Sequence, residues 1–405
     1  MLLKGKHILL GVTGGIAAFK AASLASTLTK QGAVVNVLMT ENAEKFITPI
    51  TFEGITRQKC LSDTFDRTFE GHIPHISLAQ SADLAIIAPA SANTIAKLSY
   101  GMADDMLTST LLACQCKKLI APAMNTRMYE NPATQENLQR LKRFGWTVID
   151  PACGYLACGD IGAGKMPEAD FLAECIYQEI AEEKDMAGLR VLVTAGPTRE
   201  PLDPVRYLTN RSSGKMGHQL AINAARRGAE VTLVTGASNL PDPPFVKTIR
   251  VDTAQEMFEA VTRGSAAQDI LAFAAAVADY RPASVAEDKI KKTDSGDMTE
   301  IPLARTRDIL KTVGEMKRPG QLVCGFSMET RDLLENSRKK LEKKNADLIC
   351  ANNVKVDGAG FGVDTNVITL IARDSVRELP MLSKYDAAGE IWSTLLEMRG
   401  QEGSH

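Results

Sequence analysis

Residues 190–217 read RVLVTAGPTREPLDPVRYLTNRSSGKMG, and this stretch decides both the fold class and the search for a site. Small and β-branched apolar residues over 191–195 predict a buried strand that Gly196 and Pro197 end. A helical pattern starts only near Lys215, so about twenty residues connect strand and helix where a handful is usual. The arginines and the glycine-containing entry to the helix favour an anion-binding loop over a solvated surface loop with incidental charge.

The composition is that of a globular protein. Of 405 residues, 44% are apolar and 24% charged, and the formal net charge is −2. This length predicts more than one domain, the charge gives no reason to expect nucleic acid as a partner, and no apolar run is long enough to span a membrane. The N-terminal apolar run is short and ends in glycines, so we expect a first strand rather than a signal peptide. Eight cysteines without CxxC or zinc-type spacing predict reduced thiols and a cytoplasmic protein.

The first half opens with a strand, a glycine turn and a helix. Residues 7–12 predict the strand, Gly14 and Gly15 lie in the turn, and an alanine-rich helix follows over 16–30 before a second strand. The glycine spacing is not G-x-G-x-x-G, so it indicates a dinucleotide site only weakly. Glu41 follows the second strand and could bind a ribose, but beginning a helix is the favoured reading.

Polar residues follow two further predicted strands. Ser91, Asn93 and Thr94 come after a strand over 84–88, where they could bind a phosphate or ring edge, or simply cap the next helix. Asn125 comes after a strand over 118–123. Because ligands bind at the carboxyl ends of parallel strands, Asn125 is well placed to contact one.

A glycine-rich segment over 151–167, PACGYLACGDIGAGKMP, predicts a mobile flap that can lie against a ligand, after a strand over 146–150. Its Cys158 is flanked by glycines, which argues against a packed core position and favours a reactive thiol. His72 and His75 are three residues apart, but Pro74 interrupts a shared helical face and no third ligand is near, so we do not expect a metal there. A general acid or base remains open for either histidine.

These pieces resemble a known family. GVTGGIAAFK, His75, PASANTIAKLSYGMADD, PAMN with Asn125, and ACGDIG with Cys158 resemble the homo-oligomeric flavin-containing cysteine decarboxylases. TAGPTREPLDPVRYLTNRSSGKMG, AAAVADY and KIKK resemble phosphopantothenate–cysteine ligase. The whole chain is therefore similar to the bacterial bifunctional proteins of coenzyme A biosynthesis. The resemblance implies an α/β fold of two doubly wound Rossmann-like domains: a flavodoxin-like flavoprotein domain over 1–186 and a nucleotide-binding ligase domain over 187–405.

The resemblance also implies the chemistry and the residues that carry it. The ligase makes an acyl-cytidylate from phosphopantothenate and CTP with Mg²⁺, and the amine of cysteine then displaces CMP. The decarboxylase uses FMN to oxidise the thiol of that product, CO₂ is lost, and a cysteine supplies the proton that completes phosphopantetheine. The implied catalytic residues are Cys158, His75 and Asn125 for decarboxylation, and Asn210, Arg206 and Lys289 for ligation.

The implied cofactor residues fall into two groups. For FMN they are Gly14, Gly15, Thr40, Ser91, Asn93 and Thr94. For the nucleotide they are Phe273, Ala274, Ala275, Asp279, Lys289, Asp308, Ile309, Phe326, Lys340 and Lys344, with Asp279 also a metal contact. An apolar run over 269–277 predicts the strand that leads to Asp279, and the spacing of Lys340 and Lys344 predicts one shared helical face.

One departure from the family pattern affects the nucleotide pocket. Thr306 and Arg307 stand where relatives often have Asn-Pro, so the cytosine contacts there are less secure, while Asp308 and Ile309 match. The resemblance further implies small-molecule substrates and a homo-oligomer, with trimers of the decarboxylase domain and dimers of the ligase domain. Two rivals are a flavin-binding regulatory protein of the same fold, which retention of the reactive residues disfavours, and a nicotinamide-dependent reductase, which leaves the 197–217 loop unexplained.

Overall fold

The computed structural model describes residues 1–65, 73–155, 159–291, 300–329, 333–353 and 362–402. The chain divides into two compact units, Met1–Glu182 and Glu183–His405. In these described ranges no helix combines the length and apolar character needed to cross a membrane.

The first unit is built on a parallel sheet. Its elements are β1 (His7–Val12), α1 (Ala18–Lys30), β2 (Val34–Met39), α2 (Glu41–Glu44), α3 (Pro49–Thr56), α4 (Pro74–Ser81), β3 (Leu84–Ala90), α5 (Ala92–Tyr100), α6 (Met106–Ala113), β4 (Lys117–Pro122), α7 (Thr126–Glu130), α8 (Pro132–Arg143), β5 (Thr147–Val148), β6 (Ala152–Tyr155), β7 (Ile161–Lys165) and α9 (Ala169–Ile180). The strand order β2-β1-β3-β4-β5 is that of flavodoxin-like folds, as predicted. Strands β6 and β7 form a separate antiparallel hairpin.

Helices cover both faces of this sheet because its strands are apolar on both sides. In β1, Ile8 and Leu10 belong to one buried cluster, while Leu9 belongs to another. In β3, Ile86 and Ile87 divide in the same way, and every residue of the strand is buried. Such double burial is typical of parallel strands enclosed by crossover helices. The arrangement leaves the carboxyl edge of the sheet, where loops begin, as the place for a ligand.

The second unit has a larger sheet. Its elements are β8 (Arg190–Ala195), β9 (Arg199–Pro201), β10 (Tyr207–Thr209), α10 (Lys215–Arg226), β11 (Glu230–Thr235), β12 (Lys247–Arg250), α11 (Ala254–Ser265), β13 (Ile270–Phe273), β14 (Tyr280–Pro282), β15 (Leu303–Arg305), α12 (Ile309–Met316), β16 (Leu322–Glu329), α13 (Leu333–Lys343), β17 (Leu348–Asn353), β18 (Thr365–Asn366), β19 (Ile368–Ala372), β20 (Val376–Glu378), β21 (Leu382–Ser383) and α14 (Lys384–Glu402). The order is β12-β11-β8-β13-β16-β17-β19-β20, parallel as far as β17. Strands β19 and β20 are antiparallel. The parallel part has the Rossmann order, which confirms the second doubly wound domain.

Two predicted strands are shorter than expected. The strand predicted over 269–277 ends at Phe273, because the following backbone turns to the loop after β8: the N–H of Ala274 donates to Thr194 (3.2 Å) and that of Ala276 to Gly196 (2.9 Å). The strand predicted over 146–150 pairs only at Thr147–Val148, at the edge of its sheet. Beyond Phe273 the chain no longer pairs with β16, and a cleft lies between the two segments.

Candidate functional sites

A cleft of about 720 Å³ opens at the carboxyl edge of the first sheet. Gly14 and Gly15 line it after β1, and Gly14 packs so closely on α2 that an added Cβ would lie 2.6 Å from the Cβ of Asn42. Within the described part of the chain no side chain caps the start of α1, although the N–H groups of Ala18 and Lys20 donate to the carbonyls of Gly15 and Ala17, each at 3.0 Å. The positive end of the helix dipole therefore faces the cleft without a charged side-chain cap. Phe19, Met128 and other apolar side chains form much of the remaining wall, which also contains the ion-paired Lys20 and Glu168. A phosphate at the helix N-terminus and an apolar ring system against this wall therefore fit the cleft.

The other residues predicted for FMN lie at nearby strand ends, and Ser91 alone of them lines the cleft with the two glycines. Ser91 also caps α5, because its Oγ accepts from the N–H of Thr94 at 3.3 Å. Thr40 caps α2 through the N–H of Ala43, Asn93 is exposed and Thr94 is buried; these three lie outside the lining. Helix capping, one of the two readings of the Ser91 segment, is confirmed. Glu41 is the first residue of α2, as favoured.

The β6–β7 hairpin docks on the segment that carries Asn125. The N–H of Met124 donates to the carbonyl of Gly164 at 3.0 Å. The Nδ2 of Asn125 donates to Oδ2 of Asp160 at 2.9 Å, while its Oδ1 accepts from the N–H of Arg127 at 2.9 Å. Asn125 thus has a fixed amide orientation, and the described strands of the predicted flap, Ala152–Tyr155 and Ile161–Lys165, pair with each other and contact the Asn125 segment.

His75 lies in the first turn of α4, directly after Pro74 at the first helical position. It is half-buried, and its Nδ1 is a buried atom without a hydrogen-bond partner among the described residues. It is not among the residues that line the cleft. Cys158 and His72 lie outside the described residues. No cluster of three or more potential metal ligands occurs within the described ranges.

A second cleft, of about 460 Å³, opens at the carboxyl edge of the second sheet. Of the residues predicted for the nucleotide, its lining contains Phe273, Ala275, Asp279, Asp308, Ile309, Phe326, Lys340 and Lys344. The structure adds Thr194, Arg305 and Arg307 to this set. Ala274 instead packs against the core, and Lys289 is exposed outside the lining. Four basic side chains face two carboxylates here, so the cleft suits a polyanionic ligand.

The lysines of this cleft are held by specific partners. Lys344 forms an ion pair with Asp308, whose side chain also caps α12. Burial lowers the pKa of Lys344, and the nearby charge of Asp279 opposes that shift. The Nζ of Lys340 donates to the carbonyl of Phe326 at 2.6 Å. Lys344 directly follows α13, and both lysines line one cleft, as their spacing predicts.

The departure at Thr306 has a structural role of its own. Its Oγ1 donates to the carbonyl of Ala278 at 2.6 Å, and its N–H donates to the carbonyl of Asp279 at 3.0 Å. The residue thereby fastens one wall of the cleft to the segment that carries Asp279. Arg307 stacks on Phe258 with 5.0 Å from its guanidinium carbon to the ring centroid.

The loop between β8 and α10 carries Asn210 and Arg206, and neither residue lines the second cleft. The Nδ2 of Asn210 donates to the carbonyl of Ala276 at 3.0 Å, next to the cleft wall at Ala275. Arg206 pairs with Asp203 and donates to the carbonyl of Ile290 at 2.8 Å. The three residues predicted for ligation, Asn210, Arg206 and Lys289, all lie outside the lining of this cleft.

Comparison with known families divides the chain in the same place. The Flavoprotein family matches residues 2–181, and the DNA/pantothenate metabolism flavoprotein C-terminal domain matches residues 186–398. The Bacillus subtilis protein named Coenzyme A biosynthesis bifunctional protein CoaBC is 46% identical over 406 residues, covering 99% of each chain. The chain belongs to this family of bifunctional coenzyme A biosynthesis proteins. It is thus a bifunctional biosynthetic enzyme that acts on small molecules, as the sequence predicts.

Further relatives agree in extent. The Escherichia coli protein of the same name is 44% identical over 385 residues, covering 95% of each chain. A crystal structure of the C-terminal domain of a CoaBC protein is 46% identical and covers 53% of this chain and 99% of that one, with a TM-score of 0.46. A mutant PPC decarboxylase complexed with pantothenoylaminoethenethiol is 31% identical over 42% of this chain and 96% of that one, with a TM-score of 0.39.

Sequence reasoning missed residues that line the clefts, such as Thr194 and Arg305, and residues that hold predicted site residues, such as Asp160 and Asp203. Asp160 and Asp203 lie inside quoted motifs, but a carboxylate that pairs within the protein looks like a solvated one until its partner is known. Thr194 is a buried strand residue whose Oγ1 accepts from the N–H of Ala275 at 3.2 Å. Arg305 follows no periodic pattern, and its place in the cleft depends on the β14–β15 pairing.

Proposed function

We propose that residues 1–186 form an FMN-dependent phosphopantothenoylcysteine decarboxylase domain and residues 187–405 a CTP-dependent phosphopantothenate–cysteine ligase domain. The observation that carries this proposal is the pair of chemically different clefts at the carboxyl edges of two separate sheets. One is apolar beside an uncapped helix N-terminus, which suits a flavin phosphate and ring. The other is lined by basic side chains, which suit a nucleoside triphosphate.

In the ligase reaction, a carboxylate oxygen of phosphopantothenate forms a bond to the α-phosphorus of CTP. The bond from that phosphorus to the bridging oxygen breaks, and pyrophosphate leaves. The amine of cysteine then forms an amide with the acyl carbon, CMP leaves, and the amine proton goes to solvent. Because both steps bring anions together, cations must offset charge repulsion, and Lys340, Lys344 and Arg305 are placed to do so from the cleft wall.

We assign Lys289 to the developing charge at the α-phosphate and Asn210 to the orientation of the acyl-cytidylate. Asn210 is suited to this role because its amide is anchored to the carbonyl of Ala276 at the cleft wall. Asp279 fits a Mg²⁺ site, since Mg²⁺ is usually bound by one or two carboxylates together with substrate phosphates. Asp308 and Ile309, at the start of α12, also line the cleft and would contact the base or ribose.

In the decarboxylase domain, FMN supplies the reversible two-electron oxidation of the substrate thiol. The α1 N-terminus would hold its phosphate, and Gly14, Gly15 and Ser91 would allow close approach. The fixed amide of Asn125 would orient the substrate, and the docked hairpin would exclude water. His75 would act as a proton-transfer group, and Cys158 would donate the proton from its Sγ.

A coupled assay with phosphopantothenate, cysteine and CTP, following pyrophosphate and CO₂ separately, tests these assignments. His75→Asn should abolish CO₂ release and leave phosphopantothenoylcysteine to accumulate. Lys289→Gln should slow pyrophosphate release, while Asn210→Asp should let acyl-cytidylate accumulate when the reaction is quenched. Asp347→Asn is the matched control, since Asp347 pairs with Lys317 and accepts from the N–H of Val323, away from both clefts. Loss of both activities in folded His75→Asn, or normal pyrophosphate release by Lys289→Gln, would contradict the assignments.

We also propose that the chain is a cytoplasmic homo-oligomer, with trimeric contacts through the decarboxylase domain and dimeric contacts through the ligase domain. The support is the family resemblance. Light scattering of the full chain over a range of concentrations tests it: a mass that stays at one chain would refute the proposal.

A further inference from the structure

The carboxylate of Asp203 is the centre of a hydrogen-bonded group beside the second cleft. The side chain is buried. Its Oδ1 accepts from the N–H groups of Val205 and Arg206, each at 2.8 Å. Its Oδ2 accepts from Nε and Nη2 of Arg206, at 2.9 and 2.5 Å, and from the N–H of Ile290 at 3.2 Å. Five donors on one carboxylate are far more than a turn needs to close.

This group holds both polar backbone atoms of Ile290. Oδ2 of Asp203 accepts from its N–H, and Nη2 of Arg206 donates to its carbonyl at 2.8 Å. A third bond joins the same two segments, because the N–H of Ala286 donates to the carbonyl of Leu202 at 3.0 Å. The N–H of Ile290 belongs to the peptide bond that follows Lys289. The Asp203–Arg206 pair therefore fixes the peptide unit from which the exposed Lys289 side chain extends.

Asp203 and Arg206 neutralise each other's charge. The hydrogen bonds from the Arg206 side chain, together with those from the backbone N–H groups, hold the pKa of the Asp203 carboxyl well below its usual range. Asp203 is therefore ionised across the working pH range, and the charge of Arg206 is balanced where it stands. Such an ion pair orients the neighbouring backbone and adds little net charge to the site.

We infer that Asp203 is a positioning residue of the ligase site: it holds Lys289 in place through Ile290 and Arg206. The inference rests on the proposed role of Lys289 at the α-phosphate. A lysine has four rotatable bonds, so a loose backbone would add to the freedom that the side chain must lose in the transition state. A displacement of about 1 Å in a catalytic group can cost up to about 100-fold in rate.

The test is a double-mutant cycle on pyrophosphate release by the full-length protein. Asp203→Asn has nearly the same shape, but its amide can accept at one atom only and sets a donor against Arg206 or Ile290. We expect a fall in kcat of about tenfold or more, with the KM for cysteine unchanged. The double variant Asp203→Asn, Lys289→Gln should be no slower than Lys289→Gln alone, because the carboxylate acts through the lysine. Asp347→Asn is the control, and its effect on kcat should multiply with the effect of Lys289→Gln in the double variant.

Folding of the variants is checked by circular dichroism and thermal unfolding of the full-length protein, because flavin content and CO₂ release report on the other unit. Asp203→Glu keeps the charge and should be intermediate in rate, so the series stays informative if Asp203→Asn is poorly folded. The inference is overturned if the fall in kcat of the double variant equals the product of the falls in the two single variants. A normal kcat in Asp203→Asn would also overturn it. If Lys289→Gln alone is normal, the role of Lys289 in the proposed function fails and the inference fails with it. That outcome is distinct, because it needs only the single variant.

Discussion

Gly164 is the position at which a single methyl group should separate the two activities. Its φ is +134°, and an added Cβ would lie 2.2 Å from the carbonyl oxygen of Met124. Close C···O contacts in proteins are about 3.3–3.6 Å, so Gly164→Ala must move the hairpin by about 1 Å. That movement breaks the hydrogen bond from the N–H of Met124 to the carbonyl of Gly164, which is 3.0 Å long.

The magnitude follows from two contributions. The lost hydrogen bond costs about 1 kcal/mol, and a side chain at this φ costs about 1–3 kcal/mol. Undocking should therefore become easier by about 2–4 kcal/mol, and a reaction that needs the docked hairpin should slow by about 30-fold at the lower end of that range. Ligation should be unaffected, because its residues belong to the other sheet.

Gly154→Ala is the matched control in the same hairpin. An added Cβ there would meet only Cδ of Lys165, at 3.8 Å, and the residue has no positive φ. The assay is CO₂ release from supplied phosphopantothenoylcysteine, with hydrogen exchange of the Met124 amide as a direct measure of docking. Equal CO₂ release by the two alanine variants, with equal protection of that amide, would refute the reasoning.

Two further predictions concern pH. A hydrogen bond from Cys114 lowers the pKa of Cys116 to about 7, so the rate of its alkylation by iodoacetamide should rise through pH 7. In Cys114→Ala the midpoint of this rise should move to higher pH. Burial raises the pKa of Cys60 to about 12, so Cys60 should stay unreactive. Mass spectrometry of the peptides would contradict this if Cys60 reacted first. Burial lowers the pKa of His218 below the unfolded value of about 6.5, so its stabilising contribution is complete above that pH and is lost as pH falls. The protection factors of the α10 amides, which are exchange rates corrected for the intrinsic effect of pH, should therefore fall below about pH 6.5, and less so in His218→Gln; an identical fall in both would be contrary evidence.

The sequence predicts local structure well wherever short-range rules decide it. The strands at 7–12 and 191–195 are recognisable from residue type, and Asn131 before Pro132 begins α8 as capping rules require. Glu41 in α2 follows from the same rules. In these places the local preference and the final fold agree, so no knowledge of distant contacts is needed.

The sequence fails where a distant segment decides the backbone path. Residues 274–277 are as apolar as the strand before them, and only Thr194, Gly196 and their neighbours draw them away from β16. The second cleft likewise joins Asp279, Phe326 and Lys344, which meet because strand order makes β13 and β16 neighbours. Residue pattern predicts that a strand leads towards Asp279 but not that it ends at Phe273, and the doubly wound arrangement came from the family resemblance.

Arg206 lies in the loop where the motif predicts a binding group, and its side-chain contacts there are with the protein itself. An arginine in a long βα loop suggests a fork for a phosphate, yet its guanidinium is balanced by Asp203 and holds Ile290. The excess positive charge at the cleft comes instead from Arg305, Arg307 and Lys340, which lie later in the chain. The loop after β8 thus mainly positions other residues, while Arg305, Arg307 and Lys340 supply the positive charge of the cleft. Substitutions in the loop should consequently change kcat with little effect on the salt dependence of nucleotide binding, and substitutions of the later basic residues should do the reverse.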